Sequence, residues 1–305
     1  MAIAAAVAVA IRLVGGHAFP DYDATYALIW GRDIAHGHAP DYAVSVRPAG
    51  HPLLMLVTTL ASPLGRQGAA DVVSWLALLG AGAFVAALFR FGQALAGTAA
   101  GAVAALLLFT REPLWGFSLL AFMDLLAAAF VFWAGTLELR APRRGAPVLV
   151  LLAVAGLLRP EVWLIAGVYW LWCGRPWRLL PLAALAPLLW ITWDLATTQT
   201  FLGSVTPSSG VEETTSTAGH GVIHAPGALA RYVGGFVRPP EAVAAAAGMA
   251  LAFWRRDRRA LIPAALLVLN VVTFVLVALT KGPLEQRYLV VAAGAALAFA
   301  GYAIV

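Results

Sequence analysis

Long apolar runs, broken by short stretches rich in arginine, glycine or proline, make up most of the chain. The runs predict helices, and several are shorter than the ~20 residues that a helix needs to cross a membrane perpendicular to its plane. Another apolar stretch, at 48–65, has only ~14 residues between its prolines, so we predict that it lies in the outer membrane interface and does not cross. The predicted helices span residues 2–16, 69–90, 93–110, 118–139, 146–158, 162–173, 179–196, 241–254, 261–280 and 288–305.

Composition predicts a membrane setting for these helices. Hydrophobic residues make up 62% of the 305 residues and charged residues only 11%, whereas a soluble domain carries roughly 25% charged residues. The mean hydropathy is +0.85. We therefore predict an all-α, polytopic membrane protein with about ten transmembrane helices, folded as a single domain over residues 1–305 and surrounded by the lipid bilayer.

The positive charge of the chain is distributed in short clusters. The net charge is +5, which in another setting would suggest nucleic-acid binding. Here the arginines lie between apolar runs, as in the cytoplasmic loops of membrane proteins, and we exclude nucleic acid as a partner. Cys173 is the only cysteine, so no internal disulfide can form. The clusters are Arg140, Arg143 and Arg144; Arg175 and Arg178; and Arg255, Arg256, Arg258 and Arg259.

These clusters set the predicted orientation. With all three in the cytoplasm, the segment 17–68 becomes a long first extracytoplasmic loop that carries short interfacial helices, and 197–240 becomes a second long outer loop. The turn at 159–161 and the segment 281–288 also fall outside. All six histidines and most acidic residues then lie on the outer face, so we predict the titratable chemistry there.

Acidic residues close to hydrocarbon are the first candidates for function. The stretch FPDYDATYALIWGRDIAHG at 19–37 places Asp21 and Asp23 just after the first predicted helix, and Asp124 lies within apolar sequence. A carboxylate at a membrane boundary can be tuned by burial to act as a general base, and ionisable groups inside a span are functional candidates. The alternatives are a solvated loop for the first two and, for Asp124, a water-filled cavity or an ion pair with Arg111.

Basic residues are predicted at two outer helix ends. Arg159 precedes Pro160, which disfavours helix in the residue before it, so Arg159 is held at a break. Lys281 and Arg287 lie at the outer end of the last predicted helix, where two cations beside an interface suit a phosphate. The alternatives are a hairpin turn closed by an arginine–glutamate pair at 159–161, and ordinary snorkelling of cations at a helix end.

The histidines give only a weak metal signal. His36 and His38, together with Asp33 or Asp41, have donor types that zinc accepts. They lie in a loop rich in glycine and proline, with no cysteine or HExxH motif beside them. We predict no metal site, and the participation of a divalent cation held between acidic residues is left open.

Taken in order, these motifs resemble the GT-C superfamily of integral-membrane glycosyltransferases. DYDATY at 21–26 opens the long outer loop, HPLLML at 51–56 closes it, and Asp124 is a second outer acid. The superfamily includes the protein O-mannosyltransferases, the lipid A aminoarabinose transferase and the catalytic subunit of oligosaccharyltransferase. The Arg-Pro-Glu break at 159–161 and the QRY motif at 286–288 are similar to bacterial members that use polyprenyl-phosphate sugars.

The acidic motif departs from one branch of that superfamily. Protein O-mannosyltransferases carry an adjacent Asp-Glu pair, whereas a tyrosine separates Asp21 from Asp23 here. Which aspartate is the general base is therefore open. Asp23 is favoured because it lies three residues before Tyr26, as in the DxxY patterns of the superfamily.

The resemblance implies an inverting transfer of a sugar from a polyprenyl-phosphate donor to a glycan, lipid or protein acceptor, at the extracytoplasmic face of the plasma membrane. An aspartate would take the proton of the acceptor hydroxyl, and cations would stabilise the charge on the departing lipid phosphate. No cofactor is implied beyond the divalent cation left open above. The implied catalytic residues are Asp23, Asp21 and Asp124, the donor-phosphate ligands are Arg159, Arg287, Lys281, Arg47 and Arg111, and the substrate-binding residues are Tyr26, His51, Glu161, Glu285 and Tyr288.

A multi-pass transporter or lipid flippase is the alternative function. Such a protein also carries charges within the membrane, usually near the midplane and often on inverted repeats. The sequence contains no convincing repeat, and its charges gather on one side, so the enzyme is the favoured hypothesis.

Overall fold

The computed structural model describes residues 2–42, 50–201, 222–280 and 284–304. All regular elements in these ranges are helical, which confirms the predicted all-α class for the described part of the chain. The α-helices are α1 (Ala2–Gly15), α2 (Tyr22–Ala35), α3 (Pro52–Ala61), α4 (Gly65–Ala96), α5 (Thr98–Phe109), α6 (Glu112–Leu119), α7 (Asp124–Arg140), α8 (Ala146–Leu158), α9 (Val162–Trp172), α10 (Leu180–Thr198), α11 (Ala225–Phe236), α12 (Pro239–Trp254), α13 (Leu261–Leu279) and α14 (Val290–Tyr302).

Local sequence explains where several of these helices begin and end. Asp21 caps α2, because its side-chain oxygen accepts a hydrogen bond from the Ala24 amide at 3.0 Å. Proline occupies the first turn of α3, α6, α8 and α12, where its missing N–H costs no intrahelical bond. Gly97 separates α4 from α5 with a φ of 99°, a conformation that favours glycine.

Helices α4, α7 and α14 form the centre of the molecule. Almost every residue of α14 is buried, and it packs against α12, α5 and α13. The rings of Phe84 and Phe91 lie 5.4 and 5.1 Å from the ring of Phe132, which joins α4 to α7. Small residues allow close backbone approach: Gly82 packs against the backbone of α1, and Gly248 against the backbone of α14.

Helices α7, α8, α9 and α13 run between two ends of the molecule. We call the end that holds Asp124 and Arg159 the site end. The opposite end holds the turns at 140–145, 173–178 and 255–259, and we call it the arginine end. At a rise of 1.5 Å per residue, α7 separates the two ends by about 24 Å.

Among the described residues, three helical segments are long and apolar enough to cross a membrane: Pro52–Ala96, Trp177–Thr198 and Arg258–Leu279. A fourth results if Thr98–Phe109 and Glu112–Leu119, which meet at 60°, form one broken span. These segments are compatible with association with a membrane. The prediction of about ten transmembrane helices is wrong for the described part of the chain.

The error has a physical cause in helix length. The helices α8 and α9 have 13 and 11 residues, so they are about 20 and 17 Å long, well short of a hydrocarbon core of about 30 Å. Burial inside a protein selects the same apolar residues as burial in lipid. An apolar run therefore predicts a buried helix more reliably than it predicts a span.

The first long segment joins two elements that the sequence separated. A 3₁₀ turn at Ser62–Leu64 links α3 to α4, and together they form a helical run of 45 residues. The part of the predicted interfacial segment 48–65 that begins at Pro52 therefore continues into the predicted helix at 69–90. Pro63 is tolerated because it lies in the first turn of the 3₁₀ element.

Two glycine substitutions test the packing of α12 on α14. A Cβ at position 248 would lie 2.0 Å from the carbonyl oxygen of Phe299, whereas a Cβ at position 167 would meet nothing within 4 Å. We expect Gly248→Ala to lower the free energy of unfolding by about 1–3 kcal/mol. Gly167→Ala, the matched control, should raise it by about 0.5–1 kcal/mol, because alanine favours helix.

Thermal unfolding of the detergent-solubilised protein measures both effects. Equal midpoints for the two variants would contradict the close contact between α12 and α14.

Candidate active site

Charged side chains from distant parts of the chain meet at the site end. They come from the start of α2, the start of α7, the break between α8 and α9, and the 3₁₀ turn Gln286–Leu289 that precedes α14. His51, at the start of α3, lies beside them. We call this group the charged cluster, and it comprises Asp21, Asp23, Asp124, Arg159, Glu161, Glu285 and Arg287.

Arg287 ties the beginning of the chain to its end. Its Nη1 donates to Oδ2 of Asp23 at 2.5 Å, across 264 residues of sequence. Its Nε forms an ion pair with Glu285. The Phe122 ring lies 4.7 Å from the guanidinium carbon, so an aromatic face also contacts this cation. Only 12% of the Arg287 side chain is exposed.

Arg159 lies at the centre of the cluster. Its Nη2 is 3.2 Å from Asp124 and 2.9 Å from Glu161, and only 9% of its side chain is exposed. The Tyr288 ring lies 5.1 Å from the guanidinium carbon. Arg159 ends α8 with an extended backbone, as expected for a residue before proline, and this break points the chain into the cluster instead of extending the helix.

Both guanidiniums keep N–H groups to which no described residue offers an acceptor. Within the described ranges, Nε and Nη1 of Arg159 and Nη2 of Arg287 make no hydrogen bond. Both arginines line two small cavities, with volumes of about 30 and 10 Å³. A water needs roughly 10–15 Å³, so these cavities accommodate waters and not a sugar phosphate. A ligand of that size requires the surrounding side chains to move.

The two aspartates of the DYDATY motif have opposite electrostatic environments. Burial, and then the neighbouring charge of Asp23, raise the pKa of Asp21 to about 7. Burial alone would also raise the pKa of Asp23, but the adjacent Arg287 guanidinium brings it below its ordinary value. At neutral pH, Asp21 can therefore exchange a proton, whereas Asp23 remains an ionised partner of Arg287.

His51 is a neutral member of the site. Burial, and then the positive charge of Arg159, lower its pKa to about 3. Its ring meets the Trp190 ring edge-on, with centroids 5.5 Å apart. His51 lines the smaller cavity together with Asp21 and Asp23, so it offers a neutral imidazole there and not a cation.

The structure does not bring every predicted residue into the cluster. Tyr26 belongs to a series of aromatic contacts along α2, with ring centroids 4.8 Å from Tyr22 and 5.3 Å from Trp30. Arg111 is buried elsewhere, and its Nη1 lies 3.4 Å from Glu241 at the start of α12. The predicted phosphate ligands Arg47 and Lys281 lie outside the described residues.

Two residues of the site were missed by sequence reasoning. Asn270, in the middle of α13, donates to the Tyr288 carbonyl at 2.9 Å and accepts from the Ala292 amide at 2.8 Å. It thereby fixes the turn that carries Arg287. The sequence did carry a signal for Asn270, because a polar amide in the middle of an apolar helix is a candidate functional residue. Phe122 carries no such signal, because its contact with Arg287 depends on the tertiary fold.

An apolar groove adjoins the charged cluster. It has a volume of about 300 Å³ and lies between α7, α8, α9 and α13. Ile165 lines both this groove and the larger of the two charged cavities. The groove reaches Glu138 and Trp172 at the arginine end.

Glu138 holds the far end of this groove together. Its carboxylate accepts hydrogen bonds from the Tyr169 hydroxyl at 2.8 Å, from Trp172 Nε1 at 2.9 Å and from the Arg143 amide at 2.8 Å. The Tyr169 hydroxyl also accepts from the Gly145 amide. The turn between α7 and α8 is thus bonded to α9, and this buried acid has a structural role.

The arrangement of donors bears on metal binding. Among the described residues, no group of three histidine, cysteine, aspartate or glutamate side chains is placed to hold a metal ion. Four carboxylates of the cluster form ion pairs with arginines. Asp124 and Glu161 pair with Arg159, and Asp23 and Glu285 pair with Arg287. Among the described residues, the cations that contact these carboxylates are the guanidiniums of Arg159 and Arg287.

A double substitution tests the internal charge balance. We expect Arg159→Met to destabilise the fold by about 3–5 kcal/mol, because it leaves two buried carboxylates without their cation. Adding Asp124→Asn should recover part of that loss, because one uncompensated charge is removed. Thermal unfolding of the two single variants and the double variant measures the coupling. Strictly additive effects would show that Arg159 and Asp124 do not interact.

The chain was also compared with known proteins. No family model matches it. Comparison with curated proteins and with solved structures likewise gave no match.

Proposed function

We propose that the charged cluster is the active site of a membrane-associated glycosyltransferase. The enzyme would move a sugar from a polyprenyl phosphate to an acceptor hydroxyl, with inversion at the anomeric carbon. One observation carries the proposal: two buried guanidiniums, with N–H groups that no described residue accepts from, line the same small cavity as Asp21, whose pKa is about 7. The resemblance of the motifs at 21–26 and 51–56 to the GT-C superfamily supports the same chemistry.

Arg159 and Arg287 would bind the phosphate of the donor. A guanidinium presents planar pairs of N–H groups that match phosphate oxygens, and burial strengthens each bond. As the glycosidic bond breaks, negative charge grows on the leaving phosphate. Donors already in place stabilise that charge without reorganising at the moment of reaction.

The charge balance of the cluster implies that the donor rearranges it. Each arginine already contacts two carboxylates, so a phosphate adds negative charge to a site that is already acidic. The phosphate must therefore compete with Asp124 for Arg159 or with Glu285 for Arg287, while Asp23 stays bonded to Arg287 and positions it. This competition would open the small cavities only when the donor is present, so the sugar enters as the ion pairs exchange.

Asp21 would act as the general base. The acceptor oxygen attacks the anomeric carbon, its proton passes to Asp21, and the bond from that carbon to the phosphate oxygen breaks. The electron pair leaves with the polyprenyl phosphate. A pKa of about 7 suits a base at neutral pH. The sequence favoured Asp23, which remains a prediction; the ion pair with Arg287 favours a role for Asp23 in positioning that arginine.

The apolar groove would hold the polyprenyl tail. It begins beside the larger charged cavity, where Ile165 lines both spaces, and its lining is almost entirely apolar. A lipid phosphate has the same division between a charged head and an apolar chain. The head at Arg159 and the tail beside α13 would place the donor along one wall of a candidate span.

The two ends of the molecule support a proposal for its location and sidedness. The arginine turns and the charged cluster lie at opposite ends of α7, and basic turns favour the cytoplasm. We therefore propose a multi-pass protein of the plasma membrane, with the cluster at the extracytoplasmic face. The acceptor, whether a glycan, a lipid or a protein, would reach Asp21 from that side.

Substitution of each aspartate separates their roles. With a polyprenyl-phosphate sugar as donor, we expect Asp21→Asn to lower kcat by about 10²–10⁴-fold and to leave the KM for the donor nearly unchanged. Asp23→Asn should instead raise the KM for the donor, because Arg287 loses the carboxylate that positions it. Asp71→Asn, an exposed aspartate on α4 bonded to Gln67, is the control and should behave as wild type.

The pH profile gives a second readout. The base must be deprotonated, so kcat/KM should rise with pH up to about 7 and then level off. Asp21→Asn should remove this rise. A profile that keeps it, or a loss of kcat confined to Asp23→Asn, would assign the base to Asp23.

A bulky residue in the apolar groove tests the path of the tail. Ala265 lines the groove on α13, whereas Val272 is exposed on the same helix outside it. We expect Ala265→Trp to raise the KM for a long-chain donor and to affect a short-chain donor much less. Val272→Trp should leave both KM values unchanged. An equal effect of Ala265→Trp on both donors would place the tail elsewhere.

A further inference from the structure

A second, much larger cavity lies farther along α2. Its volume is about 920 Å³, and it is bounded by α2, by α3 and by the junction of α3 with α4. This volume is at the upper end of the range of about 300–1,000 Å³ that small-molecule sites occupy. The proposed donor site does not use it. We call it the basic cleft.

The lining of the basic cleft has one sign of charge. Arg32, His36 and Arg66 all border it, and among the described residues its lining contains no carboxylate. Arg66 has no ion-pair or hydrogen-bond partner in the described part of the chain. Asp33 lies 3.8 Å from Arg32 in a loose, partly exposed pair, which contributes little. The cleft is therefore complementary to an anion.

Apolar and hydroxyl-bearing side chains make up the rest of the lining. Leu28 and Ile29 on α2 face Pro63 and Ala69 across the cleft, and Thr25 and Ser62 add hydroxyl groups; all these residues border the same space. A ligand that fits must combine an anionic group with apolar surface.

Gly31 fixes the position of α2 beside the cleft, because a Cβ there would lie 2.3 Å from Oγ1 of Thr58.

The cleft leads along α2 towards the charged cluster. Asp21, Thr25, Leu28 and Arg32 follow one another at spacings of four, three and four residues, so they share one face of the helix. Asp21 also lines the smaller charged cavity. At 1.5 Å per residue, Arg32 lies about 16 Å along the axis from Asp21.

We infer that the basic cleft binds the acceptor of the transfer reaction, and that this acceptor is an anionic amphiphile with a phosphate or carboxylate held by Arg32 and Arg66. Its reacting hydroxyl would then lie at the other end of the ligand, beside Asp21. The inference rests on the proposed glycosyltransferase function for the identity of the ligand as acceptor. The binding of an anionic amphiphile to the cleft does not depend on that function.

A binding experiment tests the cleft without any turnover. The probes are a short-chain phosphatidic acid, the phosphatidylcholine with the same chains, and inorganic phosphate, each titrated into the full-length protein in neutral detergent. We expect the wild type to bind phosphatidic acid more tightly than phosphatidylcholine. The double variant Arg32→Gln/Arg66→Gln should lose at least about tenfold in affinity for phosphatidic acid, because two charge-assisted contacts are removed.

Two matched variants serve as controls. Arg90→Gln removes the same charge from the opposite end of α4, where Arg90 is bonded to Gln93, and it should bind phosphatidic acid as the wild type does. Asp71→Asn, an exposed residue of α4 that does not line the cleft, should also bind normally. Competition by inorganic phosphate would show that the oxyanion alone is recognised, and its failure would show that the lipid headgroup together with its chains is required; the proposal accommodates either source.

The outcomes separate failure of the cleft from failure of the proposed function. Unchanged affinity in Arg32→Gln/Arg66→Gln, or an equal loss in Arg90→Gln, would overturn the cleft. Sugar transfer that proceeds with an unchanged acceptor KM in the double variant would overturn its role as the acceptor site. Selective phosphatidic acid binding in a protein that shows no sugar transfer would keep the cleft and reject the glycosyltransferase.

Discussion

The sharing of two buried guanidiniums among several carboxylates is the interaction on which the site end depends. Arg287 joins α2 to the turn before α14, and Arg159 joins the break after α8 to the start of α7. Neither the cations nor the acids could be buried alone, because desolvation of an unpaired charge costs several kcal/mol. Helices that are far apart in sequence are thereby fixed around one small polar space.

This mutual dependence links the stability of the fold to the proposed chemistry. Some of the ion pairs that hold the cluster together in the absence of substrate, such as Arg159 with Asp124, are those that a donor phosphate would replace. A phosphate can enter only if its interaction with the guanidiniums is at least as favourable as that of the carboxylates it displaces. Specificity for the phosphate headgroup of the donor would therefore arise from competition with the carboxylates as well as from the shape of a preformed cavity. The small cavities beside Arg159 and Arg287 are consistent with such competition.

The sequence predicted the members of the site better than it predicted the architecture around them. Asp23, Asp124, Arg159 and Arg287 were chosen because charged residues are rare in apolar sequence, and the structure brings all four together. The number of spans was overestimated because α8 and α9 are apolar for packing within the protein and are too short to cross a bilayer. The choice between Asp21 and Asp23 depends on Arg287, 264 residues away from Asp23, and local sequence carries no information about that distance.

The hydrogen bonds of Glu138 have a consequence for the apolar groove. They close its far end with a bonded turn, at a fixed position on the helix that begins with Asp124. Fourteen residues of rigid helix separate the two carboxylates, a distance of about 21 Å. If the groove holds a polyprenyl chain, the fixed length of α7 sets how much of that chain the protein covers. Every isoprene unit beyond this first segment must then lie in the surrounding lipid.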